Sequence, residues 1–361
     1  MFDIDRLIDR LFAAGRLEEP EYALLIKHRS LETADRLASY ADSVRREIYG
    51  HEIFIRGLIE ISNICKNDCY YCGIRKSNTS CDRYRLTGEK IIECADNGYD
   101  LGFRTFVLQG GEDPFFDDET LCAIISSIKE RHPDCAITLS LGERSAASYQ
   151  ELYDAGADRY LLRHETADST HYGKLHPKEM SYGNRMDCLK ILRSIGYQVG
   201  CGFMVSSPFQ TETELAKDLK FIEEFRPDMC GIGPFIPHDK TPFAKMEAGT
   251  AELTCYLLSI IRIICPNILL PATTALGTSD PMGREKGILA GANVIMPNLS
   301  PVGTREKYEL YNGKICTGEE AAECIRCLDE RIRKIGFRIV IDRGDIRNNK
   351  SYDQYGGKYE P

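Results

Sequence analysis

Three cysteines, Cys65, Cys69 and Cys72, lie within eight positions with the spacing C-x3-C-x2-C. A structural zinc site closes a tetrahedron with four ligands, usually supplied as two C-x2-C pairs. No fourth cysteine or histidine follows at zinc-finger spacing before Cys81. Thiolates also bind iron–sulfur clusters, and a four-iron cluster held by three thiolates leaves one iron with open coordination. We therefore expect a 4Fe-4S cluster whose open iron takes part in chemistry, with a zinc site as the alternative.

The aromatic Tyr71 directly precedes the last of these cysteines, and the whole pattern resembles the motif of the radical S-adenosylmethionine (radical SAM) enzymes. In that family the amine and carboxylate of SAM chelate the open iron. An electron from the reduced cluster then cleaves the sulfonium, which gives a 5′-deoxyadenosyl radical. The resemblance implies that Cys65, Cys69 and Cys72 bind the cluster and form the catalytic centre, with SAM as a cofactor.

The overall composition argues against several other classes of function. The chain has 361 residues and a net charge of −9, which disfavours binding to nucleic acid or to a membrane surface. No run of about 18 apolar residues is present to cross a membrane. Fifteen cysteines could suggest a disulfide framework, but the count is odd, the chain is long and no signal peptide opens it. We therefore predict reduced thiols and a cytoplasmic location.

The elements that must position the cysteine motif follow an alternating pattern. Residues 1–50 carry the apolar periodicity of helices. From His51 onward, short apolar runs alternate with amphipathic helical patterns, which is typical of a parallel α/β architecture. Eight of these runs count as strands, so we predict a complete (β/α)8 TIM barrel with an N-terminal helical extension; a six-stranded partial barrel is the alternative. The predicted units are the helical lead-in at 1–50, the barrel at 51–300 and a C-terminal segment at 301–361 that closes the barrel.

Active sites of such barrels lie at the C-terminal ends of the strands. The cysteine motif follows the first predicted strand, and Gly110, Gly111 and Glu112 follow the second. Glycines let backbone groups approach a ligand closely, although a tight turn also explains them. In a chain with the cysteine motif, this stretch resembles the GGE motif of radical SAM enzymes, whose backbone holds the amino group of SAM. The resemblance implies that Gly110, Gly111 and Glu112 bind this cofactor.

Arg163, His164 and Glu165 place ionisable groups at the end of the fourth predicted strand. Because burial of such groups is costly without a partner, we expect them to pair with one another or to contact a ligand. Arg185, early in the next helix, is placed to reach a carboxylate. A salt bridge for the first group and a solvated helix face for Arg185 are the structural alternatives.

Hydroxyl groups cluster near the ends of the last predicted strands. Thr273 and Thr274 could bind an anionic group together with Arg163, although their β-propensity alone also accounts for them. Tyr308 and Tyr311 lie beyond the last predicted strand. We interpret them as residues that close the lower end of the barrel cavity, with ordinary core aromatics as the alternative.

A second cysteine set occurs late in the chain. Cys316, Cys324 and Cys327 have the spacing C-x7-C-x2-C, which is compatible with a second iron–sulfur cluster, with zinc or with no metal. Because these residues lie outside the strand-end loops, we predict a cluster site that is peripheral to the main one.

Longer segments narrow the resemblance to the HydE family of FeFe-hydrogenase maturases. The resemblance implies a full (β/α)8 barrel with an internal cavity, SAM-binding positions at Glu165 and Arg185, and a dispensable second cluster at the late cysteines. The segments that carry it are residues 62–75, 161–167, 231–238, 271–275, 292–298 and 313–316. The anion and substrate positions of the family match Arg163, Met229, Thr273, Thr274, Tyr308 and Tyr311.

The same resemblance implies a role in assembling the di-iron part of the hydrogenase H-cluster. The expected substrate is a small organometallic or thiol-containing molecule, the expected partners are the maturases HydG and HydF, and the expected electron source is a reductant such as ferredoxin or flavodoxin. Enzymes resembling methylornithine synthase or biotin synthase are alternatives, since they share the motif and the barrel. A non-catalytic iron–sulfur scaffold is the alternative from a different class, and the open coordination of the first cluster argues against it.

Overall fold

The computed structural model describes residues 3–317 and 325–347 of the chain. Its centre is a ring of parallel strands, to which some but not all of the described strands belong. The described strands are β1 Glu52–Ile55, β2 Gly57–Ser62, β3 Thr105–Gly110, β4 Ala136–Ser140, β5 Arg159–Leu161, β6 Gln198–Cys201, β7 Met204–Val205, β8 Met229–Cys230, β9 Gly233–Pro234, β10 Val294–Ile295 and β11 Arg338–Val340. Six of them form one parallel sheet in the order β2-β3-β4-β5-β6-β8.

Isolated parallel bridges complete this sheet to a closed ring. Met229 pairs with Leu269, Pro271 pairs with Val294, and Asn298 returns to Leu58 on β2. Strand β10 also lies beside β1, the strand that leads directly into β2. The ring therefore has eight strand positions, of which the seventh is represented by bridges alone. The predicted (β/α)8 barrel is confirmed, and the six-stranded alternative is wrong.

Helices surround the ring. Several of them begin at a residue whose side chain accepts a backbone N–H group of the first turn. Thr87, Asp117 and Thr250 are examples of such N-caps. Among the described helices, none is both long enough and apolar enough to span a bilayer. The helices are α1 Ile4–Ala14, α2 Glu19–Lys27, α3 Leu31–Tyr49, α4 Gly88–Asp100, α5 Asp118–Arg131, α6 Ala146–Asp154, α7 Ser169–Leu175, α8 Tyr182–Ile195, α9 Glu212–Phe225, α10 Ala251–Ile264, α11 Thr274–Ser279, α12 Gly283–Leu289, α13 Val302–Arg305 and α14 Ile325–Lys334.

The N-terminal extension packs on the outside of the barrel as three helices. Helix α2 lies against α9, and α3 lies against α10. The buried hydroxyl of Tyr22 donates to the Oε2 atom of Glu223 on α9 at 2.6 Å. The helical periodicity of residues 1–50 is divided in the structure, where α2 ends at Lys27 and α3 begins at Leu31. Ser30 starts α3 because its hydroxyl accepts the Thr33 N–H group while Thr33 returns a bond to the Ser30 backbone.

The lower end of the barrel, at the N-terminal ends of the strands, is closed by residues 338–347. Strand β11 adds in parallel to β1. Below it, the fully buried guanidinium of Arg159 donates to the carbonyl of Arg343 at 3.0 Å and pairs with Asp345 at 2.5 Å. The end of the described chain therefore seals the side of the barrel that is opposite to the strand-end loops.

Candidate active site at the upper end of the barrel

The cysteine loop, residues 63–86, directly follows β2, and side chains of the loop donate hydrogen bonds to backbone carbonyls of the loop and of Lys307. The amide of Asn63 donates to the carbonyls of Asp82 and Lys307 at 2.8 and 2.7 Å. The guanidinium of Arg83 donates to the carbonyls of Asn63 and Ile74 at 2.5 and 2.8 Å. These bonds fix the loop in place because each satisfies a backbone carbonyl that regular secondary structure would otherwise pair.

The three predicted ligand thiols, Cys65, Cys69 and Cys72, lie together within this loop. Burial raises the pKa of Cys69 well above its usual value, and the nearby Cys72 and Cys65 raise it further. Burial, followed by the influence of Cys65, raises the pKa of Cys72 to about 12. Thiols in such surroundings are protonated until a cationic group replaces the protons. Binding of a metal group by these thiols would therefore release protons.

The arrangement of these thiols fits a cluster better than a single ion. Within 3–317 and 325–347, no group of three or more His, Cys, Asp or Glu side chains is placed to hold one metal ion. Zn–S bonds of about 2.3 Å would bring the sulfurs of a zinc site to about 3.8 Å from one another. In an iron–sulfur cluster the thiolates bind different irons, and soft thiolate donors are the ligands that such clusters use. Three half-buried thiols in one loop are a suitable donor set.

The predicted Gly-Gly-Glu stretch packs directly against the cysteine loop. A Cβ atom added to Gly111 would lie 2.2 Å from the carbonyl oxygen of Ile64 and 2.8 Å from the Cβ atom of Cys65. The N–H group of Glu112 donates to the sulfur of Cys65 at 3.3 Å, and the carboxylate of Glu112 pairs with Lys66 at 3.2 Å. Glycine is thus required here for contact between two loops. The role of Gly110, Gly111 and Glu112 in holding SAM stays a prediction.

Glu165 is a buried carboxylate in an unusual backbone conformation. Its φ angle is +65°, a region that residues other than glycine adopt rarely. Its Oε2 atom has no hydrogen-bond partner in the described structure, although the Nη2 atom of Arg163 lies 3.4 Å away. Arg163 and Glu165 are therefore close in space, as the sequence suggested, without a hydrogen bond between them.

Arg185 lies beside this carboxylate, at the first turns of α8. Its Nε atom is 2.6 Å from Oε1 of Glu143, and its Nη1 atom donates to the carbonyl of Arg163 at 3.2 Å. Burial acts to lower the pKa of Arg185, but Glu143 and the hydroxyl of Tyr172 raise it overall. The guanidinium is therefore a permanent cation inside the upper end of the barrel, and the solvated-face alternative for Arg185 is wrong.

Several buried polar atoms in this region have no hydrogen-bond partner among the residues that the structure describes. A buried polar group without a partner costs free energy, so such a group is suited to meet a polar ligand. Together the atoms offer a cationic, an anionic and a hydroxyl group, which are the kinds of partner that a zwitterionic amino acid joined to a ribose, as in SAM, requires. The atoms are Nε and Nη2 of Arg163, Oε2 of Glu165 and the hydroxyl of Tyr172; Nε of Arg185 and Oε1 of Glu143 are instead paired with each other.

Sequence reasoning missed a second contact to the cysteine loop, made by α7 and the residue after it. The Tyr71 hydroxyl lies 3.2 Å from Nε2 of His176, whose Nδ1 atom lies 3.0 Å from the carbonyl of Tyr172. Because the carbonyl accepts, Nδ1 carries the hydrogen and Nε2 accepts from Tyr71. Burial lowers the pKa of His176 to about 4, so the ring is neutral. His176 therefore fixes the orientation of the aromatic ring beside Cys72.

Removing the hydrogen bond between Tyr71 and His176 is expected to weaken SAM binding by about 3- to 10-fold, since one such bond contributes about 0.5–1.5 kcal/mol. Tyr71→Phe and His176→Phe delete the same bond, so the double variant should lose no more than either single variant. The dissociation constant for SAM, measured on the cluster-loaded variants, checks this. Additive losses would show that the two side chains act separately.

The predicted anion and substrate positions are spread along the barrel. The Thr273 hydroxyl accepts the N–H group of Leu276 as the N-cap of α11 and donates to the carbonyl of Ile232, each at 3.3 Å. Thr274 is the first residue of α11. Met229 begins β8 near the lower end, where its sulfur accepts from Arg56 at 2.9 Å. A binding role for Thr273, Thr274 and Met229 stays a prediction.

Tyr308 and Tyr311 lie at the upper end of the barrel, so the interpretation that they close its lower end is wrong. The Tyr308 hydroxyl accepts from Gln109 at the end of β3, at 3.4 Å. The buried ammonium of Lys314 lies 2.5 Å from Glu60 on β2. Residues 306–316, here called the strap, therefore cross the mouth beside the cysteine loop.

The structure describes two of the three late cysteines, Cys316 and Cys327. Cys316 is buried, and its sulfur lies 2.7 Å from Nη2 of Arg284. Cys324 lies outside the described residues, and Cys327 is disulfide-bonded. The other described cysteines are free thiols, and the disulfide at Cys327 departs from the prediction that the thiols are reduced. A second cluster at Cys316, Cys324 and Cys327 stays a prediction.

Replacing both Cys324 and Cys327 by alanine is expected to leave the rate of SAM cleavage within about 2-fold of the wild type, because surface changes away from the reacting atoms have small effects. Helix α14, which carries Cys327, packs on β11 at the lower end of the barrel. The rate of 5′-deoxyadenosine formation and the iron content per chain check this. A loss of cleavage above about 10-fold would show that the late cysteines serve the main site.

Comparison with known proteins gives one consistent result. Residues 59–222 match the family model described as the radical SAM superfamily. The chain is 44% identical over 334 residues to the FeFe hydrogenase maturase subunit HydE of Thermotoga maritima, which covers 91% of this chain and 95% of that protein. It is 26% identical to 3-methylornithine synthase of Methanosarcina acetivorans, over 93% of this chain and 94% of that protein.

A solved structure agrees with the barrel described above. The crystal structure of methylornithine synthase superposes with a TM-score of 0.78 at 23% identity, covering 97% of this chain and 99% of that chain. At this identity the likeness supports the shared fold. It carries no conclusion about substrate.

Proposed function

Because the chain belongs to the radical SAM superfamily and, within it, to the family of the FeFe hydrogenase maturase HydE, we propose that it helps to assemble the di-iron active-site cluster of FeFe hydrogenases. It is an enzyme that uses a 4Fe-4S cluster and SAM. When bound, the cluster supplies the electron that cleaves the sulfonium of SAM, which yields the 5′-deoxyadenosyl radical. The observation that carries the maturase role is the 44% identity to HydE over 91% of the chain.

In this proposal different residues at the upper end of the barrel bind the cluster and SAM. Cys65, Cys69 and Cys72 hold the cluster. Arg185 offers its guanidinium to the carboxylate of SAM, since guanidinium groups bind carboxylates in a fixed planar geometry. The unpartnered Oε2 atom of Glu165 accepts a hydrogen bond from an ammonium or ribose hydroxyl group of SAM.

The strap and the Gly-Gly-Glu stretch complete this site. The backbone of Gly110, Gly111 and Glu112 contributes further polar contacts to SAM. The buried pair of Lys314 and Glu60 holds the strap across the mouth, which keeps bulk water away from a reactive radical.

The substrate space lies below SAM, inside the barrel. We place there the side chains that the family resemblance marks, with Arg163 and the threonine hydroxyls recognising an anionic part of the substrate. The substrate class is a small organometallic or thiol-containing molecule. The side chains that we place around this substrate are Arg163, Met229, Thr273, Thr274, Tyr308 and Tyr311.

The partners follow from the proposed role. HydG supplies or shares the substrate, HydF receives the product, and ferredoxin or flavodoxin delivers the electron. The cytoplasm suits this chemistry because it keeps thiols reduced. The mutase alternative is weaker because identity to methylornithine synthase is 26%, against 44% to HydE.

An in vitro maturation assay tests the proposed role. Apo-hydrogenase is incubated with HydF, HydG and a reductant, with the reconstituted protein either present or omitted, and hydrogen production is measured. We expect activation to require this protein and to fail when its Cys69→Ala variant is used. Activation that is equal without the protein, while the protein still cleaves SAM, would overturn the maturase role and favour a mutase.

A further inference from the structure

One buried carboxylate, Asp218 on α9, holds the loop that carries Glu165. Both Asp218 and His164 are fully buried. The Oδ1 atom of Asp218 lies 3.2 Å from Nε2 of His164 and accepts the N–H group of Ala167 at 2.6 Å. The N–H group of Gly202 donates to Nδ1 of His164 at 3.2 Å, so the hydrogen of the ring is on Nε2 and points to Asp218. A single oxygen therefore binds the loop on both sides of Glu165.

These contacts account for the backbone conformation of Glu165. A residue other than glycine keeps a φ angle of +65° where the surrounding structure imposes it. Glu165 is fixed on one side through His164 and on the other through Ala167, and its own N–H group donates to the carbonyl of Gly202 at 3.0 Å. With its neighbours held, the carboxylate is directed to the region of Arg163, where its Oε2 atom has no partner in the described structure.

We propose that Asp218 is a positioning residue for SAM binding, which acts by holding Glu165 in this conformation. The inference rests on the proposed function, since it requires Glu165 to contact SAM. Asp218 itself lies behind the loop, on the outer helix, and does not reach the ligand. Its contribution is geometric: a carboxylate held in place before the ligand arrives loses less conformational entropy on binding.

The same helix offers a matched control for a purely structural role. Glu223 is also buried on α9, and its carboxylate accepts hydrogen bonds from the Tyr22 hydroxyl at 2.6 Å, from the Leu17 N–H group at 3.3 Å and from the ammonium of Lys220 on the same helix at 2.7 Å. Those partners belong to the N-terminal extension, on the outside of the barrel. Loss of Glu223 therefore removes similar buried hydrogen bonds without touching the loop of Glu165.

The test compares four variants in the cluster-loaded, full-length protein: Asp218→Leu, Asp218→Asn, His164→Phe and Glu223→Leu. The measurements are the iron content, the melting temperature, and the SAM dissociation constant from the SAM-induced change in the EPR spectrum of the reduced cluster. Asp218→Leu should weaken SAM binding at least about 10-fold while the spectrum without SAM is unchanged. Asp218→Asn should stay within about 3-fold of the wild type, because the amide oxygen keeps both bonds and Oδ2 has no partner to lose.

The control outcomes separate the inference from simple destabilisation. Glu223→Leu should lower the melting temperature as much as Asp218→Leu but leave SAM binding within about 2-fold. Equal SAM binding by Asp218→Leu and the wild type, or an equal loss in Glu223→Leu, would overturn the inference. If Asp218→Leu does not fold, His164→Phe decides: it keeps the ring contact with Phe221 and loses the bond to Asp218, so wild-type SAM binding would overturn the inference. Failure of the wild type to respond to SAM would instead overturn the proposed function.

Discussion

Replacing Cys69 by alanine is expected to reduce SAM cleavage to below about 1% of the wild-type rate. The three thiols lie in one loop, and loss of Cys69 leaves two of the three predicted ligands. The two remaining thiolates bind a cluster weakly, because one of the three bonds between the protein and the irons is lost. The measurement is the formation of 5′-deoxyadenosine after chemical reduction, together with the iron content per chain.

Cys81→Ala is the matched control for this variant. Cys81 is a free, half-buried thiol of the same loop, and its sulfur accepts from the Asn63 amide at 3.5 Å. We expect this variant to keep its cluster and at least about half of the wild-type activity, since a weak bond to sulfur is lost. If Cys69→Ala still forms 5′-deoxyadenosine at the wild-type rate, the assignment of the cluster to this loop is wrong.

Reversing the charge of Glu165 by substitution with lysine is expected to raise the SAM dissociation constant at least about 100-fold. Glu165 is buried beside Arg163, so an ammonium group there would face another cation without a counter-charge. The substitution removes a charge-assisted hydrogen bond to SAM, which contributes about 1.5–3 kcal/mol, and adds repulsion from Arg163, so the combined loss is on the order of 100-fold in affinity. Titration of the cluster-loaded variant with SAM, followed by EPR, provides the measurement.

Two further variants define the origin of this effect. Glu165→Gln keeps the size and one acceptor oxygen but removes the charge, so we expect an intermediate loss of about 10-fold. Glu179→Lys changes an exposed carboxylate near α7 and should leave affinity within about 2-fold. Unchanged SAM affinity in Glu165→Lys would remove this residue from the cofactor site.

The parts of the structure that follow local patterns could be predicted from the sequence. The start of helix α9 is visible in the sequence, because Thr211 and Glu214 have the spacing of a capping box, which they form in the structure. The cysteine motif and the Gly-Gly-Glu stretch were placed at neighbouring strand ends, and the packing of Gly111 against Ile64 and Cys65 confirms that they meet. The family resemblance is likewise confirmed by the comparison with HydE.

The parts that depend on tertiary contacts could not be predicted in this way. Helix α7 has seven residues of mixed polarity, too short for a clear period, so the bond of His176 to Tyr71 gave no sequence signal. In the sequence, nothing distinguishes Asp218 from an ordinary polar residue of α9. Its contact with His164 joins residues that are 54 positions apart, so no local pattern could indicate it. The prediction that Tyr308 and Tyr311 close the lower end of the barrel was also wrong. No local pattern indicates on which side of a barrel a chain continues after the last strand.

The central claim is that the three cysteines of the loop after β2 hold a cluster that reacts with SAM. The most direct measurement is to reconstitute the protein anaerobically with iron and sulfide, reduce it, and record the EPR spectrum and the amount of 5′-deoxyadenosine with and without SAM. We expect the signal of a reduced 4Fe-4S cluster that changes when SAM is added, together with release of 5′-deoxyadenosine. A protein that binds no cluster, or a cluster signal that SAM leaves unchanged with no nucleoside released, would contradict the claim and favour a scaffold or zinc site.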